Sequence, residues 1–530
     1  MLGTVFEGPA VFDGTGAAPF TTDVGVADGR IVAIGDLSER DAYERVACRS
    51  LALVPGFIDV HSHSDELWLV DGRCEGKICQ GVTSEIGGNC GTSIAPLQGT
   101  ALTAKQRDAD LYGLEVGWTT FDGFFTQVEQ QGVALNVASL VGLGTTRRCV
   151  AGDAPRALDV DELRAQTRLV RDAIDQGALG VSSGLIYEPG RHADRAELVA
   201  CAEAARAAGA ARYVSHVRDE GDEVEAAIAE ALAIGEAAGV AVQCSHHKAS
   251  GKRNWGKVHR TLPMLDRAGR GAGVACDAYP YVASWTELAT ILPPRARDGG
   301  DDAALERLRD PAFAAAAAFA LELARDPLLG GDGWDTILVT DVGSERNAEV
   351  AGMRIDELAR HWRMTPSTAA IRLLVEEKLR VDCAFFSMNE DDVAAVMSAS
   401  FCCVGSDASA RAFSGITARG VPHPRTYGTF PRVFGRYVRG RRVFTAAEAI
   451  RRMTSLPADL FGLRDRGRIV LGAHADLVVL NVNRVIDRAT YEHPFAAPEG
   501  IRDVYVNGRA VLRDGALTGA RPGRVLRQGR

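Results

Sequence analysis

Apolar and polar positions change rhythm twice along the chain. From Met1 to about Val54, short β-like pieces alternate with turn residues: Val5-Phe6, Val24-Gly25-Val26 and Arg30-Ile31-Val32-Ala33-Ile34. Asp28-Gly29 reads as the hairpin turn between the last two. The far end repeats this pattern. Ala475–Leu480 and Val504–Val511 read as strands, and Asn507-Gly508 supplies another hairpin turn. The two ends are therefore expected to pair into one small β domain, residues 1-54 joined by 468-530.

Between them, apolar runs of strand length alternate with helical spacing. The runs are Leu53–Val60, Val82–Ile86, Leu135–Leu140, Leu179–Ser183, Arg212–His216, Val240–His246, Gly273–Ala278 and Phe401–Asp407. Leu163 to Ile174 and Val224 to Ala238 carry the helical period and stop at Gly177 and Gly239. Eight strands with helical crossovers predict an α/β fold of the (β/α)8 TIM-like kind over residues 55-467. The connection after the seventh strand, about 285-380, is long. It holds Pro293-Pro294, Gly299-Gly300 and helical spacing around Leu305–Ala324, and is expected to be an insertion that covers the site.

Composition narrows the function. The chain has 530 residues, 46% hydrophobic and 24% charged, which is ordinary for a globular protein and enough for a barrel plus an accessory domain. A net charge of −9 argues against a nucleic-acid-binding surface. The N-terminus has neither a basic segment nor a long apolar one, and no apolar run reaches membrane-spanning length. Eleven cysteines without a secretory signal fit free thiols in a reducing cytoplasm. A cytoplasmic protein is expected, with neither membrane nor nucleic acid as partner; the sequence leaves its oligomeric state open.

In such barrels the chemistry sits at the C-terminal ends of the strands. The first run ends in His61-Ser62-His63, and strand alternation sends both histidines to one face. After the second comes Gly87-Gly88-Asn89-Cys90-Gly91, whose glycines let the backbone bring a thiol close to a site. The fifth ends in His216, the sixth in His246-His247-Lys248 and the eighth in Asp407. Each has an ordinary explanation when taken alone. Cys90 suits a core, a single histidine suits a hydrogen-bonded wall, and Asp407 suits a helix cap. All of them at one mouth make a metal-competent set. Imidazole and thiolate are the usual donors to zinc, and a nearby carboxylate can move protons.

The segments GFIDVHSHSD, QGVTSEIGGNCG, SSGLIYEPG, SHVRDEGDEV, CSHHK, DAYPY, GSDASAR and PHPRTYGTFPRVFGRY resemble the N-acyl-D-amino-acid deacylases, or D-aminoacylases, a branch of the amidohydrolase superfamily. The likeness runs from about Leu53 to Phe461. It implies a metal-dependent hydrolase barrel with a small β-sandwich domain formed by both chain ends. It also implies zinc-dependent hydrolysis of a small-molecule N-acyl-D-amino acid. By the same resemblance, Cys90, His216 and His246 hold a tight zinc, and His61, His63, Cys90 and Asp407 a second, weaker divalent metal. Asp407 is the general acid/base, and His247 has no assigned role. Tyr187, Lys248, Ser284 and Arg425 fall where the family grips the substrate's α-carboxylate, a task suited to cationic side chains. Ile186, Leu292, Phe385 and Met388 are expected to form an apolar side-chain pocket, which favours hydrophobic substrates. Pro293-Pro294-Arg295-Ala296-Arg297 puts arginines, Arg295 first, in the region where relatives selective for acidic side chains use one. The chain departs from the shortest relatives in the longer loop between Asp407 and Pro422.

Two further readings share the fold, a D-dipeptidase and a cyclic amidase. The second would be expected to need a bridging lysine, and none ends the third or fourth strand. A non-catalytic scaffold would tend to lose the donor residues, all of which are present here.

Overall fold

The computed structural model describes residues 1–324 and 333–529. Eight parallel strands form the barrel: β1 (Phe57–Asp59), β2 (Val82–Gly87), β3 (Asn136–Ser139, continued by Val141–Gly142), β4 (Val181–Gly184), β5 (Arg212–His216), β6 (Ala241–Cys244), β7 (Ala275–Ala278) and β8 (Cys402–Val404). β1 pairs with β2 and β2 with β3; after the break at Leu140 the pairing continues in order from β4 to β8. The chain beyond β8 returns beside the chain beyond β1. There the Asp407 amide donates to the His61 carbonyl at 2.8 Å and the His63 amide to the Ala408 carbonyl at 3.3 Å. This is the (β/α)8 architecture that the alternation predicts. Most barrel strands are buried on both faces, so they read as short continuous apolar runs.

The crossover helices follow local signals. Val160–Asp175 is capped by Asp159, whose Oδ1 accepts from the amides of Asp161 and Glu162, both at 2.9 Å. Glu162 returns a carboxylate to the Asp159 amide, completing a capping box. Val224–Ala238 stops at Gly239, where φ is 66°.

The first run, Leu53–Val60, is not one strand. Ala52–Pro55 pairs antiparallel with Leu477–Leu480 in a different sheet, and β1 begins two residues later. Gly56 makes the turn, and a Cβ there would lie 2.1 Å from Thr83 Oγ1. Apolar continuity hides the break because both sheets are buried. Ala52–Pro55 and Leu477–Leu480 belong to a seven-stranded sheet with contributions from both chain ends. A four-stranded sheet from residues 2–47 packs on it around Phe6, Val24, Ile31, Leu53, Leu477 and Tyr505. The two hairpin turns are present, with positive φ at Asp28, Gly29, Asn507 and Gly508.

The segment between β7 and β8 forms a three-stranded antiparallel sheet, Ser284–Glu287, Val381–Phe385 and Ile337–Val342, backed by helices and a separate core. Val381–Phe385 is its middle strand, so this unit continues past residue 380. Among the described residues, no helix is long and apolar enough to cross a membrane.

Candidate metal centre and substrate cavity

The barrel brings the strand-end donors together. His61 is fully buried, and its Nδ1 lies 3.0 Å from Asp277 Oδ1 on β7. An ionised carboxylate only accepts, so Nδ1 carries a proton toward Asp277 and the other ring nitrogen, Nε2, faces the centre. That Nε2 is 3.3 Å from Cys90 Sγ and 3.5 Å from Asp407 Oδ1. Nε2 of His246 is 3.5 Å from the same sulfur. The His216 ring stands 4.4 Å from the His246 ring, buried, with no hydrogen bond at either nitrogen among the described residues. His63 Nε2 is 3.0 Å from Asp407 Oδ1, and Asp407 Oδ2 is 3.0 Å from Arg425 Nη1.

Electrostatics favour the ionised form of each partner in this centre. Burial pushes the Cys90 thiol up, but His61 and His246 outweigh it and hold the thiol well below its usual range. Burial likewise raises Asp407, and the charges of Arg425, His61 and His246 pull it well below the usual carboxylate range. In return, and against burial, His63 is lifted to about 9 by Asp407 and Cys90. His246 is lifted to about 8 by Glu220, Cys90 and Asp407, against burial and Lys248.

Three of these residues sit on unusual backbone. Cys90, His246 and Asp407 have φ of 53°, 34° and 51°. Left-handed backbone is costly for residues with a Cβ and persists where the surroundings enforce it.

A cavity of about 920 Å³ opens onto the donors. His63, Cys90, His216, His246 and Asp407 line it, as do Tyr187, Lys248, Ser284 and Arg425. Arg425 is no solvated loop residue. It is 1% exposed, begins the helix Arg425–Arg432 and stacks over Tyr279 at 4.5 Å. Tyr187 Oη is 3.0 Å from Thr286 Oγ1, and Lys248 Nζ donates to Glu220 Oε1 at 2.6 Å.

The expected side-chain pocket is only partly assembled. Ile186 and Phe385 line the cavity. Leu292 is buried in the core of the insertion, and Met388 lines a separate small pocket with His247 and Val393. Arg295 is exposed. The short helix Pro294–Arg297 turns Arg295 away and leaves Arg297 on the cavity wall. Arg297 Nη1 donates to the Ile186 carbonyl at 3.0 Å, and its buried Nε has no partner.

Sequence reading passed over Glu220 and Asp277, and placed Arg295 rather than its neighbour Arg297 in the pocket. Glu220 Oε1 is 2.8 Å from His246 Nδ1 as well as holding Lys248. Both carboxylates stand behind donor histidines, where they fix ring orientation. Glu220 and Asp277 lie inside the segments SHVRDEGDEV and DAYPY, but their partners are remote in sequence.

The family model for the amidohydrolase family matches residues 46–512. The chain belongs to that family. It is 38% identical over 530 residues to an N-acyl-D-glutamate deacylase of Alcaligenes xylosoxydans xylosoxydans, covering 99% of this chain and 97% of the relative. A crystal structure of a D-aminoacylase superposes with a TM-score of 0.84 at 34% identity, over 99% of this chain and 100% of that one. The N-acyl-D-glutamate deacylase of Bordetella bronchiseptica, solved with zinc and a phosphonate mimic of the tetrahedral intermediate, gives 0.83 at 35% identity, over 99% of both chains.

Proposed function

We propose that this protein hydrolyses the amide bond of N-acyl-D-amino acids with the help of bound zinc, releasing a carboxylate and a D-amino acid. The observation that carries this reading is one cavity lined both by a Cys/His donor set and by the cationic pair Lys248 and Arg425. The donors fit the metal. Neither ring nitrogen of buried His216 has a hydrogen-bond partner among the described residues, and the Cys90 thiol is held well below its usual range. Cys90, His216 and His246 would hold a tight zinc; His61, His63, Cys90 and Asp407 would hold a second, weaker divalent ion. Bound there, the metal would polarise the amide carbonyl and acidify water.

The chain's own residues supply the rest. Asp407, kept ionised beside Arg425, takes a proton from the attacking water at Oδ1 and returns it to the leaving nitrogen, which cannot depart as an anion at neutral pH. Lys248 and Arg425 hold the α-carboxylate, with Tyr187 and Ser284 beside them. The names of the deacylase relatives support the D configuration. Arg297 supports an acidic side chain, because its guanidinium has no ion-pair partner among the described residues and borders the cavity near Ile186 and Tyr187.

The test is amine release from N-acetyl-D- and N-acetyl-L-amino acids, with D-glutamate, D-aspartate, D-leucine and a dipeptide in the panel. Release from D substrates alone, abolished by a chelator and restored by zinc, is the expected result. Silence toward every N-acyl amino acid from zinc-loaded protein would overturn the reading, and cleavage of the dipeptide alone would replace it with a dipeptidase.

A further inference from the structure

Asp407 must carry its carboxylate between His63, His61 and Arg425 while its backbone sits at φ 51°. No side-chain contact of Asp407 explains that backbone. One layer below lies a buried charge cluster that the proposed chemistry does not touch. Lys77, on the short helix Glu75–Ile78, is fully enclosed. Its ammonium donates to Asp59 Oδ2 at 2.6 Å, Ser406 Oγ at 2.8 Å and the Ala408 carbonyl at 2.9 Å. Two of those acceptors belong to the residues on either side of Asp407.

The cluster continues outward. Asp59 Oδ1 accepts from the Ser406 amide at 2.9 Å and from the His61 amide at 3.2 Å. Ser406 Oγ also accepts from the Ala408 amide at 3.2 Å. Glu85 Oε2 lies 3.3 Å from the ammonium and accepts from Ser62 and Ser64. Asp59, Lys77 and Glu85 thus tie the turn carrying Asp407 to the segment carrying His61 and His63. An ammonium has three protons, and here each meets an acceptor. No donor is left over for a ligand.

We propose that Lys77 is a positioning residue for the reaction. By bridging Ser406, Ala408 and Asp59 it fixes the left-handed turn at Asp407 and so aims the carboxylate that moves the proton. This rests on the proposed role of Asp407, and the test separates the two.

The experiment uses the full-length, metal-loaded chain and compares Ser406→Ala, Lys77→Met and Asp407→Asn. Ser406→Ala removes one arm of the bridge without leaving a buried charge; Lys77→Met removes the hub. The expected result is a kcat lowered about 10- to 100-fold, the range for outer-layer partners of a metal site, with KM within about twofold and the tight zinc of Cys90, His216 and His246 retained. In an Asp407→Asn background, Ser406→Ala should cost nothing more, because both act through the same carboxylate. Wild-type kcat in folded, metal-loaded Ser406→Ala would overturn the proposal, whether or not Lys77→Met folds. So would a loss of kcat that only tracks lost metal, or one undiminished in the Asp407→Asn background. If Asp407→Asn itself keeps full activity, the role of Asp407 fails instead.

Discussion

Two lysines sit in buried carboxylate clusters beside the donor set, and their surroundings differ in one respect. Lys77 is sealed; its three protons are taken by Asp59, Ser406 and Ala408. Lys248 reaches the cavity; its ammonium donates to Glu220, lies 2.8 Å from His246 Nδ1 and stands over the Tyr279 ring, and it faces the open space where an anion would enter. A lysine buried with its acceptors complete is an internal strut. The same group facing open space is a binding device. Access, not charge, separates them.

The comparison can be broken most directly through stability. Lys77→Met leaves two buried carboxylates without their cation and should lower the unfolding free energy by about 3–5 kcal/mol in denaturant titration. Lys248→Met should cost much less; an equal loss would end the distinction. Next in size, Lys248→Met should raise KM for N-acetyl-D-amino acids by the worth of a charged hydrogen bond, about 1.5–3 kcal/mol or roughly 10- to 100-fold, with a smaller change in kcat. Glu220→Gln should then weaken activity or zinc affinity about tenfold by loosening His246, read by steady-state kinetics and zinc titration.

The smallest effect concerns carboxylates with no lysine between them. Glu287 faces Asp382 across the insertion's sheet and lines the cavity. Glu287 is exposed, so solvent screens the effect; partial desolvation on the cavity wall, with Asp301, Asp382 and Asp108 adding repulsion, pushes it up to about 8. Unfolded, it would titrate near an ordinary glutamate, at about 4.3. Between those values the folded chain keeps a proton that the unfolded chain has lost, so stability falls as pH rises through this window. Glu287→Gln removes that fall. Its Tm should match wild type near pH 4 and exceed it at pH 8.5; a constant difference at both would contradict the assignment.

Much of this was legible in sequence because the signals were local. Asp28-Gly29 and Asn507-Gly508 dictate hairpins, and the eight apolar runs with helical spacers dictate the barrel. His61, His63, Cys90, His216, His246 and Asp407 stand out because barrel topology places strand ends at one mouth. What escaped depended on distance or on one turn of helix. Gly56 splits an unbroken apolar run at a point where any Cβ would meet Thr83, a constraint invisible without the second strand. Arg297 rather than Arg295 reaches the cavity because Pro294–Arg297 is helical. Lys77 and Glu220 are ordinary charges in the sequence, and only partners such as Ser406 and His246 reveal them.

The left-handed backbone at Cys90, His246 and Asp407 also bears on how such a centre can diversify. Apart from glycine, the residues that accept this conformation most readily are Asn, Asp and His, whereas β-branched side chains resist it. Drift or engineering at these positions therefore runs in a narrow channel. Cys90→Asp or Cys90→His could retune the metal preference at modest backbone cost, while Cys90→Thr would be rejected by the chain before its chemistry was ever tried. The permitted alphabet is short, and it consists largely of metal donors, so the backbone itself biases variation toward new coordination rather than toward loss of it.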